Sequence, residues 1–326
     1  MTAKEVVRRA IEFREPPRVP LKYCNRDLDR SDVRGCGWGP AAGWEPEQPG
    51  ATEWGYVWSS LDQTMGQTQA APLADPAALE GYVPPDPYAP GRFEGLSSCV
   101  AEGADRFLTF GVGISGFNQA TFLRGMEDLL CDLALAPERA GRVLDLVFDW
   151  ENALLEQACA YPVDCIGFAD DWGTQRGLMI SPAKWREVFA PRYAEQFARA
   201  HAAGKKVWFH TCGNVWEIIG DLIEVGVDVL ELLQPDIFGV ERLGREFGGQ
   251  VCFCCAVDHQ RVAVSGGRAE IFAYVRRLCD CLGGSRGGFI GYIEDYASLG
   301  MSEENYQWLG EAFHSLPARE ETADDL

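Results

Sequence analysis

The sequence lacks the features of a membrane protein or a nucleic-acid-binding protein. It contains no run of 18 consecutive apolar residues, so no membrane span is expected, and its first residues lack the apolar stretch of a secretion signal. Basic residues are scarce, because 29 Lys and Arg stand against 49 Asp and Glu, a formal net charge of −20. An acidic surface repels phosphate groups. We therefore expect a cytoplasmic protein that binds neither nucleic acid nor a membrane.

Nucleotide-binding motifs are missing as well. No Gly-x-Gly-x-x-Gly follows an early predicted strand, and no Gly-x-x-x-x-Gly-Lys-Ser/Thr occurs, so a bound dinucleotide or nucleotide is not expected. Histidine is rare, with four in 326 residues. The twelve cysteines are irregularly spaced in a long chain, which predicts thiols rather than a disulfide framework.

The character of the chain changes near residue 106. Residues 1–105 are irregular and rich in Gly, Pro and Trp, and four of the ten tryptophans lie between positions 38 and 58, which predicts a loop-rich aromatic cap. In residues 106–318 strands and helices alternate, including a helix predicted over 119–131. The strands are predicted at 106–113, 164–169, 205–211, 227–232, 250–255 and 288–292. Repeated βα units predict a parallel α/β fold, and this number of strands favours one (β/α)₈ TIM barrel domain over residues 1–326.

Two potential metal ligands stand at the end of one predicted strand. His210 and Cys212 are two residues apart, so they share a face of the strand at the mouth of the barrel, where such enzymes place their chemistry. An imidazole and a thiolate suit Zn²⁺, although a core cysteine beside a hydrogen-bonded histidine is the alternative. Catalytic zinc usually has three protein ligands. We predict Cys255 as the third ligand, with Glu294 or Asp295 as alternatives.

Adjacent carboxylates and a cluster of aromatic residues complete the candidate site. Asp170 and Asp171 follow the strand at 164–169 and are predicted to be catalytic, as acid or base or as substrate ligands, the alternative being that they brace a loop. The aromatic residues of the cap are predicted to roof a pocket for a flat or apolar ligand, or else to cover the barrel. The predicted substrate-binding residues are Trp38, Trp54, Tyr56, Trp58, Asn118, Arg124, Gln234 and Asp258.

The order of these motifs resembles the uroporphyrinogen decarboxylase superfamily, in its branch of cobalamin-dependent methyltransferases, over essentially the whole chain. The motifs lie at residues 17–20, 54–58, 122–127, 167–175, 209–214, 226–230 and 287–290. The resemblance implies a (β/α)₈ barrel with zinc held at its mouth by a His-x-Cys pair, which His210 and Cys212 match, and by a distant Cys. No Cys follows residues 287–290, so either a carboxylate or Cys255 replaces that ligand, or the metal is lost.

The resemblance also implies an activity. We expect a zinc-dependent methyltransferase that moves a methyl group between a small substrate and a corrinoid (cobalamin), and the aromatic cap favours O-demethylation of an aromatic methyl ether. The chain lacks an Asp-x-His-x-x-Gly corrinoid-ligating motif, so the corrinoid is expected on a separate protein. Residues 19–26 lack the paired arginines of true decarboxylases. The alternatives are a metal-free, decarboxylase-like lyase and a non-catalytic barrel that binds a corrinoid or a small molecule.

Overall fold

Short apolar segments separated by helices form an eight-stranded parallel sheet in the computed structural model, which describes residues 1–60, 66–284 and 286–317. The strands are paired in the order β1-β10-β9-β8-β7-β6-β5-β2, so the sheet curls into a nearly closed (β/α)₈ TIM barrel, as the sequence predicts. Its strands are β1 (Leu21–Cys24), β2 (Val33–Cys36), β5 (Phe107–Ile114), β6 (Cys165–Ala169), β7 (Lys206–His210), β8 (Val229–Leu232), β9 (Cys252–Ala256) and β10 (Phe289–Glu294). Two further strands, β3 (Val57–Ser59) and β4 (Gln67–Ala70), form an antiparallel hairpin.

The barrel closes between β1 and β2, the two ends of the strand order. Asp32 joins them, because its backbone N–H donates to Leu21 O (2.8 Å) and its carboxylate accepts from Leu21 N (2.8 Å). Arg18 binds the same carboxylate at 2.6 Å. Both strands lie within residues 1–105, so the barrel begins before the segment of regular βα units predicted from residue 106. The predicted end of that segment, residue 318, lies outside the described residues.

Helices surround the barrel. The helix predicted over 119–131 is wrong in one respect, because Gly125, with φ at +92°, divides it into two helices. None of the helices in the described ranges is long and apolar enough to cross a membrane. The helices are α1 (Ala3–Ile11), α2 (Leu96–Glu102), α3 (Gly116–Arg124), α4 (Met126–Leu135), α5 (Pro137–Cys159), α6 (Pro182–Val188), α7 (Ala190–Ala202), α8 (Ile219–Glu224), α9 (Val240–Phe247), α10 (Val262–Ser265), α11 (Arg268–Leu282) and α12 (Glu303–His314).

Alternation along the strands separates two apolar clusters. Alternate residues of β9, such as Cys252 and Cys254, pack in the barrel interior, while Phe253 and Cys255 belong to the larger cluster between the barrel and its helices. One cysteine pair departs from the expectation of free thiols, because Cys36 at the end of β2 forms a disulfide with Cys99 of α2. Because residues of each strand alternate between these two clusters, every second side chain faces the barrel interior and the others face the surrounding helices.

Candidate metal centre

Three potential metal ligands meet at the carboxyl ends of β6 and β7. The Nε2 atom of His210 lies 3.4 Å from Cys212 Sγ and 3.6 Å from Asp171 Oδ1. Within the described residues this is the one group of three or more His, Cys, Asp or Glu side chains whose ligand atoms all lie within 4.8 Å of one another. The expectation that His210 and Cys212 point together is therefore confirmed, and Asp171 joins them.

The loops after β6 and β7 hold these side chains together through close backbone contact. Gly173 N donates to Cys212 O (3.0 Å), and Asn214 N donates to Thr174 O (2.7 Å). Gly213 has φ at +75°, and a Cβ atom there would lie 2.0 Å from Gly173 O. Only glycine permits this approach at both positions, since a Cβ at Gly173 would lie 2.4 Å from Asn214 N.

Asp171 is fixed from two sides. Its Oδ1 accepts a hydrogen bond from Cys212 N (2.7 Å). The side-chain amide of Asn118, oriented to satisfy both of its groups, accepts from Asp171 N (3.0 Å) and donates to Asp171 O (3.3 Å). The predicted substrate-binding residue Asn118 thus lies at the centre, where it positions the loop that carries Asp171.

The ring of His210 is oriented by a buried carboxylate. Glu231 of β8 accepts from His210 Nδ1 (2.9 Å) and from Trp208 Nε1 (2.8 Å), and the Lys22 ammonium donates to it. Burial alone would raise the pKa of Glu231, but the Lys22 ammonium and the His210 ring outweigh burial and hold that pKa well below its ordinary value. The ionised carboxylate keeps a proton on Nδ1, so Nε2 faces Cys212 and Asp171.

The centre favours a positive charge at His210 Nε2. Burial alone would lower the pKa of His210, but hydrogen bonds to Cys212 and Glu231 outweigh burial and raise the pKa well above its ordinary value. A proton or a metal ion can supply this charge. The nitrogen, sulfur and oxygen donors are a set that zinc accepts.

The spacing of the three donors also fits zinc. A tetrahedral zinc ion with bonds of roughly 2.0 Å to nitrogen or oxygen and 2.3 Å to sulfur separates nitrogen from oxygen by roughly 3.3 Å and nitrogen from sulfur by roughly 3.5 Å, so spacings within about 0.3 Å of these values suit it. The distances from His210 Nε2 to Cys212 Sγ and Asp171 Oδ1 are 3.4 and 3.6 Å. The side chains of His210 and Asp171 are 23% and 36% exposed, so a further ligand can approach.

The structure does not bring the other predicted ligands to this group. Cys255 is fully buried on the outer face of β9, because its strand position alternates with the interior residue Cys254. Glu294 accepts hydrogen bonds from Asn25 Nδ2 (2.7 Å) and Tyr292 OH (3.0 Å), and Asp295 pairs with Arg26 (3.3 Å).

Asp170, predicted to be catalytic, has a structural environment. It is fully buried and accepts from the backbone N–H groups of Phe117 (2.7 Å) and Asn118 (2.8 Å) and from the hydroxyl of Tyr193. Burial raises the pKa of Asp170 well above its ordinary value, although these hydrogen bonds oppose the rise. Asp170 therefore holds the start of α3 against the end of β6, beside the candidate metal centre.

An interior cavity of about 980 Å³ lies below the mouth. It exists because inward positions on β2, β5 and β6 hold Gly35, Gly111, Gly167 and Ala169, which leave space that larger side chains fill elsewhere in the barrel. The opposite wall carries the polar residues Lys22, His210 and Glu231. A small substrate in this cavity would have access to the exposed side of His210.

The aromatic cap forms a second, smaller cavity of about 390 Å³ beside the mouth, which we call the aromatic chamber. The predicted residues Trp38, Trp54 and Tyr56 line it, whereas Trp58 packs its ring against Phe122 at 5.2 Å and is not among the lining residues. Ile114, at the end of β5, lines both the chamber and the interior cavity. The chamber walls are Trp38, Trp44, Trp54, Tyr56, Trp150, Glu53, Glu151, Gln119, Val112, Ile114 and residues 39–40 and 51–52.

The remaining predicted substrate-binding residues lie apart from the three donors or bind other parts of the protein. Gln234 lies at the rim, where its Oε1 accepts from Gln175 Nε2 (3.1 Å). Arg124 is buried and pairs with Asp132 (2.8 Å). Asp258 accepts from Gln260 N (2.9 Å) within its own loop. Gln234 is therefore placed to meet a ligand at the mouth, whereas Arg124 is engaged inside the protein.

Sequence reasoning missed Glu231 and Lys22. Glu231 interrupts an apolar strand that reads Val-Leu-Glu-Leu, and Lys22 follows Leu21 in another short strand. A single charged residue on the inward face of a barrel strand is costly unless it is paired. That cost was the available signal, but the pairing partner on a strand 209 residues away could not be read from the sequence.

The fold and the centre define a TIM barrel with potential metal ligands at the carboxyl ends of its strands. The chain belongs to the uroporphyrinogen decarboxylase family, since the family model described as "Uroporphyrinogen decarboxylase (URO-D)" matches residues 63–316. No curated protein sequence matches the chain significantly.

Solved structures share the fold at low sequence identity. A methyltransferase from Methanosarcina mazei has a TM-score of 0.69 at 14% identity, covering 96% of this chain and 98% of that one. The 3-keto-D-glucoside 4-epimerase from E. coli has a TM-score of 0.42 at 14% identity, covering 68% and 82%. D-psicose 3-epimerase from Clostridium cellulolyticum H10 has a TM-score of 0.39 at 14% identity, covering 73% and 84%. At this identity the first similarity shows the fold alone.

Proposed function

We propose that the chain is a zinc-dependent methyltransferase of the uroporphyrinogen decarboxylase family. It would move a methyl group between a small substrate and a corrinoid carried by a separate protein. The observation that carries the proposal is the convergence of Asp171, His210 and Cys212 at the mouth, with donor spacings of 3.4 and 3.6 Å that suit zinc. The shared fold of the Methanosarcina mazei methyltransferase supports the class of reaction.

Asp171, His210 and Cys212 would hold the zinc ion, which would supply a Lewis acid for the substrate heteroatom that loses or gains the methyl group. Asp171 is therefore assigned to the ligand set rather than to proton transfer. Glu231 keeps His210 Nε2 directed at the other two donors, and Lys22 balances the buried charge of Glu231. Asn118 keeps the Asp171 loop in place.

We propose an aromatic methyl ether as the small substrate. When an aromatic methyl ether gives up its methyl group, the CH3–O bond breaks and an aryloxide leaves, which is a poor leaving group unless the negative charge developing on its oxygen is stabilised. The interior cavity and the adjoining aromatic chamber offer the apolar volume that an aromatic ring requires. The corrinoid partner would approach from the open mouth.

The metal content of the purified protein tests the first half of the proposal. Protein produced in zinc-replete medium should contain one zinc ion per chain by elemental analysis, and His210→Ala and Cys212→Ala should lose it. His201→Ala and Cys131→Ala are matched controls, because His201 pairs with Asp228 away from the mouth and Cys131 is an exposed thiol. A metal-free wild-type protein would refute the zinc site and leave a decarboxylase-like lyase as the alternative.

The visible spectrum of a reduced corrinoid tests the second half. The protein should convert the spectrum of a cobalt(I) corrinoid protein to that of its methylated form when an aromatic methyl ether is added. Methylamines and methyl thioethers should react more slowly, and Cys212→Ala should be inactive. Zinc binding without any spectral change across the panel of methyl donors would refute methyl transfer and favour a non-catalytic binding barrel.

A further inference from the structure

The seam between β1 and β2 is bridged low on the barrel wall. Asp32, just before β2, binds Leu21 through its backbone N–H and its carboxylate. Ser31 adds a second link, because its hydroxyl accepts from Tyr23 N (3.1 Å). In the part of the chain that the structure describes, β1 pairs with β10 and β2 pairs with β5, and no backbone hydrogen bond runs directly between β1 and β2. The wall therefore lacks a hydrogen-bonded ladder along this seam.

A glycine on β2 leaves space beside the seam. Gly35 lies on the inward face of its strand, since Val33 two residues earlier packs in the barrel interior. Inward positions of a barrel are normally filled and buried, as Cys254 on β9 is. Gly35 is instead exposed, and a Cβ atom placed on it would meet no other atom within 4 Å. The inward face of β2 therefore offers no side chain that could close the wall at this point.

Two arginines on the outer side of the wall line the interior cavity. Arg34 and Arg106 each stand next to a residue that packs in the barrel interior, so alternation directs both side chains outward. Arg34 pairs at 2.6 Å with Glu102 of α2, which lies outside the barrel. The same cavity is lined by His210 at the mouth. One continuous space therefore connects the mouth with the outer surface at the seam.

The outer opening lies beside the segment that joins β1 to β2. Leu28 and Asp29 of that segment also line the cavity, and Leu28 is 56% exposed. Arg106 donates to the backbone carbonyl oxygens of both residues, at 2.7 and 2.8 Å, and so holds the segment in place at the edge of the opening. We call this opening the side portal and define it by Leu28, Asp29, Arg34, Gly35 and Arg106.

The side portal suits a small molecule with an apolar surface. Its leucine offers an apolar contact at the edge, and its two guanidinium groups already bind a carboxylate or carbonyl oxygens. The cavity behind it has a volume of about 980 Å³, which is in the range of small-molecule sites. A macromolecule seated over the mouth would block that way into the cavity, but it would leave the seam open.

We propose that small apolar ligands enter and leave the interior cavity through the side portal, while the mouth stays available to a larger partner. With two openings, the small ligand can exchange while the partner remains docked. The identification of the small ligand as the methyl donor, and of the larger partner as a corrinoid protein, rests on the proposed function. Passage of a small ligand through the side portal does not depend on it.

The rates of ligand exchange test this route. An obstacle in a passage raises the barrier between the free and the bound state without changing either state, so it slows entry and exit by the same factor. Fluorine NMR exchange measurements with para-fluoroanisole give both rate constants and the dissociation constant. In Leu28→Trp both rate constants should fall at least about fivefold, while the dissociation constant changes by less than about twofold. Absence of saturable para-fluoroanisole binding to the wild type would overturn the proposal.

Further variants locate the passage. Leu28→Ala removes an exposed side chain from the side portal, so it should raise both rate constants by the same factor even if the tryptophan variant folds poorly. Leu299→Trp is the matched control, because Leu299 is equally exposed and lies outside the cavity lining. Ile114→Trp narrows the mouth and should not slow entry and exit together. Equal slowing in Ile114→Trp, with unchanged rates in both Leu28 variants, would place the entrance at the mouth and refute the side portal.

A metal-site variant separates this inference from the proposed function. Cys212→Ala should exchange para-fluoroanisole as the wild type does, because Cys212 is not part of the cavity lining. Slowed exchange in Leu28→Trp of a protein that never acquires zinc would support the side portal and refute only the zinc methyltransferase. Zinc binding and methyl transfer, with exchange rates that no Leu28 variant alters, would refute the side portal alone.

Discussion

Protonation of Glu151 couples the stability of the barrel to pH. This carboxyl is buried between α3 and α7, where Gly116 N and Gln196 Nε2 donate to its two oxygens. Burial raises its pKa in the folded protein to about 7 from an ordinary value of 4.5. The folded state therefore holds a proton that the unfolded chain has released across this interval. Stability should fall as the pH rises from about 4.5 and reach its lower level above about 7.

The size of this stability change follows from the difference between the pKa values of Glu151 in the unfolded and the folded protein. The difference between 4.5 and about 7, at about 1.4 kcal/mol for each pH unit, corresponds to about 3 kcal/mol of unfolding free energy. Glu151→Gln removes the titration and keeps a neutral side chain. The new amide can accept from Gly116 N through its oxygen. If the Gln196 amide turns over, the new amide can also donate to Gln196 Oε1, an atom without a partner among the described residues. The variant should match the wild type near pH 4.5 and exceed its stability by about 3 kcal/mol at pH 8.

Urea unfolding followed by circular dichroism at several pH values between 4.5 and 8 measures this difference. Glu156→Gln is the matched control, because it removes the same charge from an exposed position of the same helix. The control should differ from the wild type by a nearly constant amount. A constant difference between Glu151→Gln and the wild type over the whole range would show that Glu151 is ionised in the folded protein and would refute the reasoning.

Three further predictions concern the centre and its supports. Glu231→Gln should weaken zinc binding about 10- to 100-fold while His210 and Cys212 remain, as competition with a chromophoric chelator would show; undiminished affinity would contradict the orienting role. Asp170→Ala should lower the unfolding free energy by about 2–4 kcal/mol, because it leaves the buried N–H groups of Phe117 and Asn118 unsatisfied. Urea unfolding measures this loss, and a loss of less than about 1 kcal/mol would show that Asp170 does not hold the start of α3. Gly35→Val should reduce methyl transfer more than zinc content, since a Cβ atom there would have no neighbouring atom within 4 Å and the side chain would extend into the interior cavity; unaffected turnover would place the substrate elsewhere.

The later strands of the barrel were predictable because each is a short apolar run followed by a helix. Strands β1 and β2 were hidden, since each has four residues and the eight residues between them contain no α-helix. They are the two ends of the strand order, and Asp32 links them through its backbone N–H and its carboxylate, which bind Leu21. Similarly, one apolar pattern covered both α3 and α4, and only the positive φ of Gly125 separates them. Local periodicity does not reveal such long-range or single-residue effects.

Of the candidate site, the pair on one strand was predictable and the third residue was not. His210 and Cys212 share a strand end, so their proximity follows from the two-residue repeat of a strand. Which residue joins them depends on which neighbouring loop reaches the pair, and the sequence does not show this. Cys255 was favoured because a thiolate is a common zinc ligand. Alternation places Cys255 on the outer face of β9, whereas contact between the loops at Gly173 and Gly213 brings Asp171 inward.

In the proposed zinc site, Asp171 would take the place of the distant thiolate that the resemblance implies, and this exchange would have a chemical consequence. Asp171 and Cys212 together provide the same formal charge as two thiolates, so the electrostatic attraction for a divalent ion is retained. A carboxylate oxygen is a harder and less electron-donating ligand than sulfur, so the ion would remain a stronger Lewis acid. That property suits the polarisation of an ether oxygen better than the storage of a thiolate acceptor. The proposed ligand set would thus favour the direction in which an oxygen-bound methyl group leaves the small substrate.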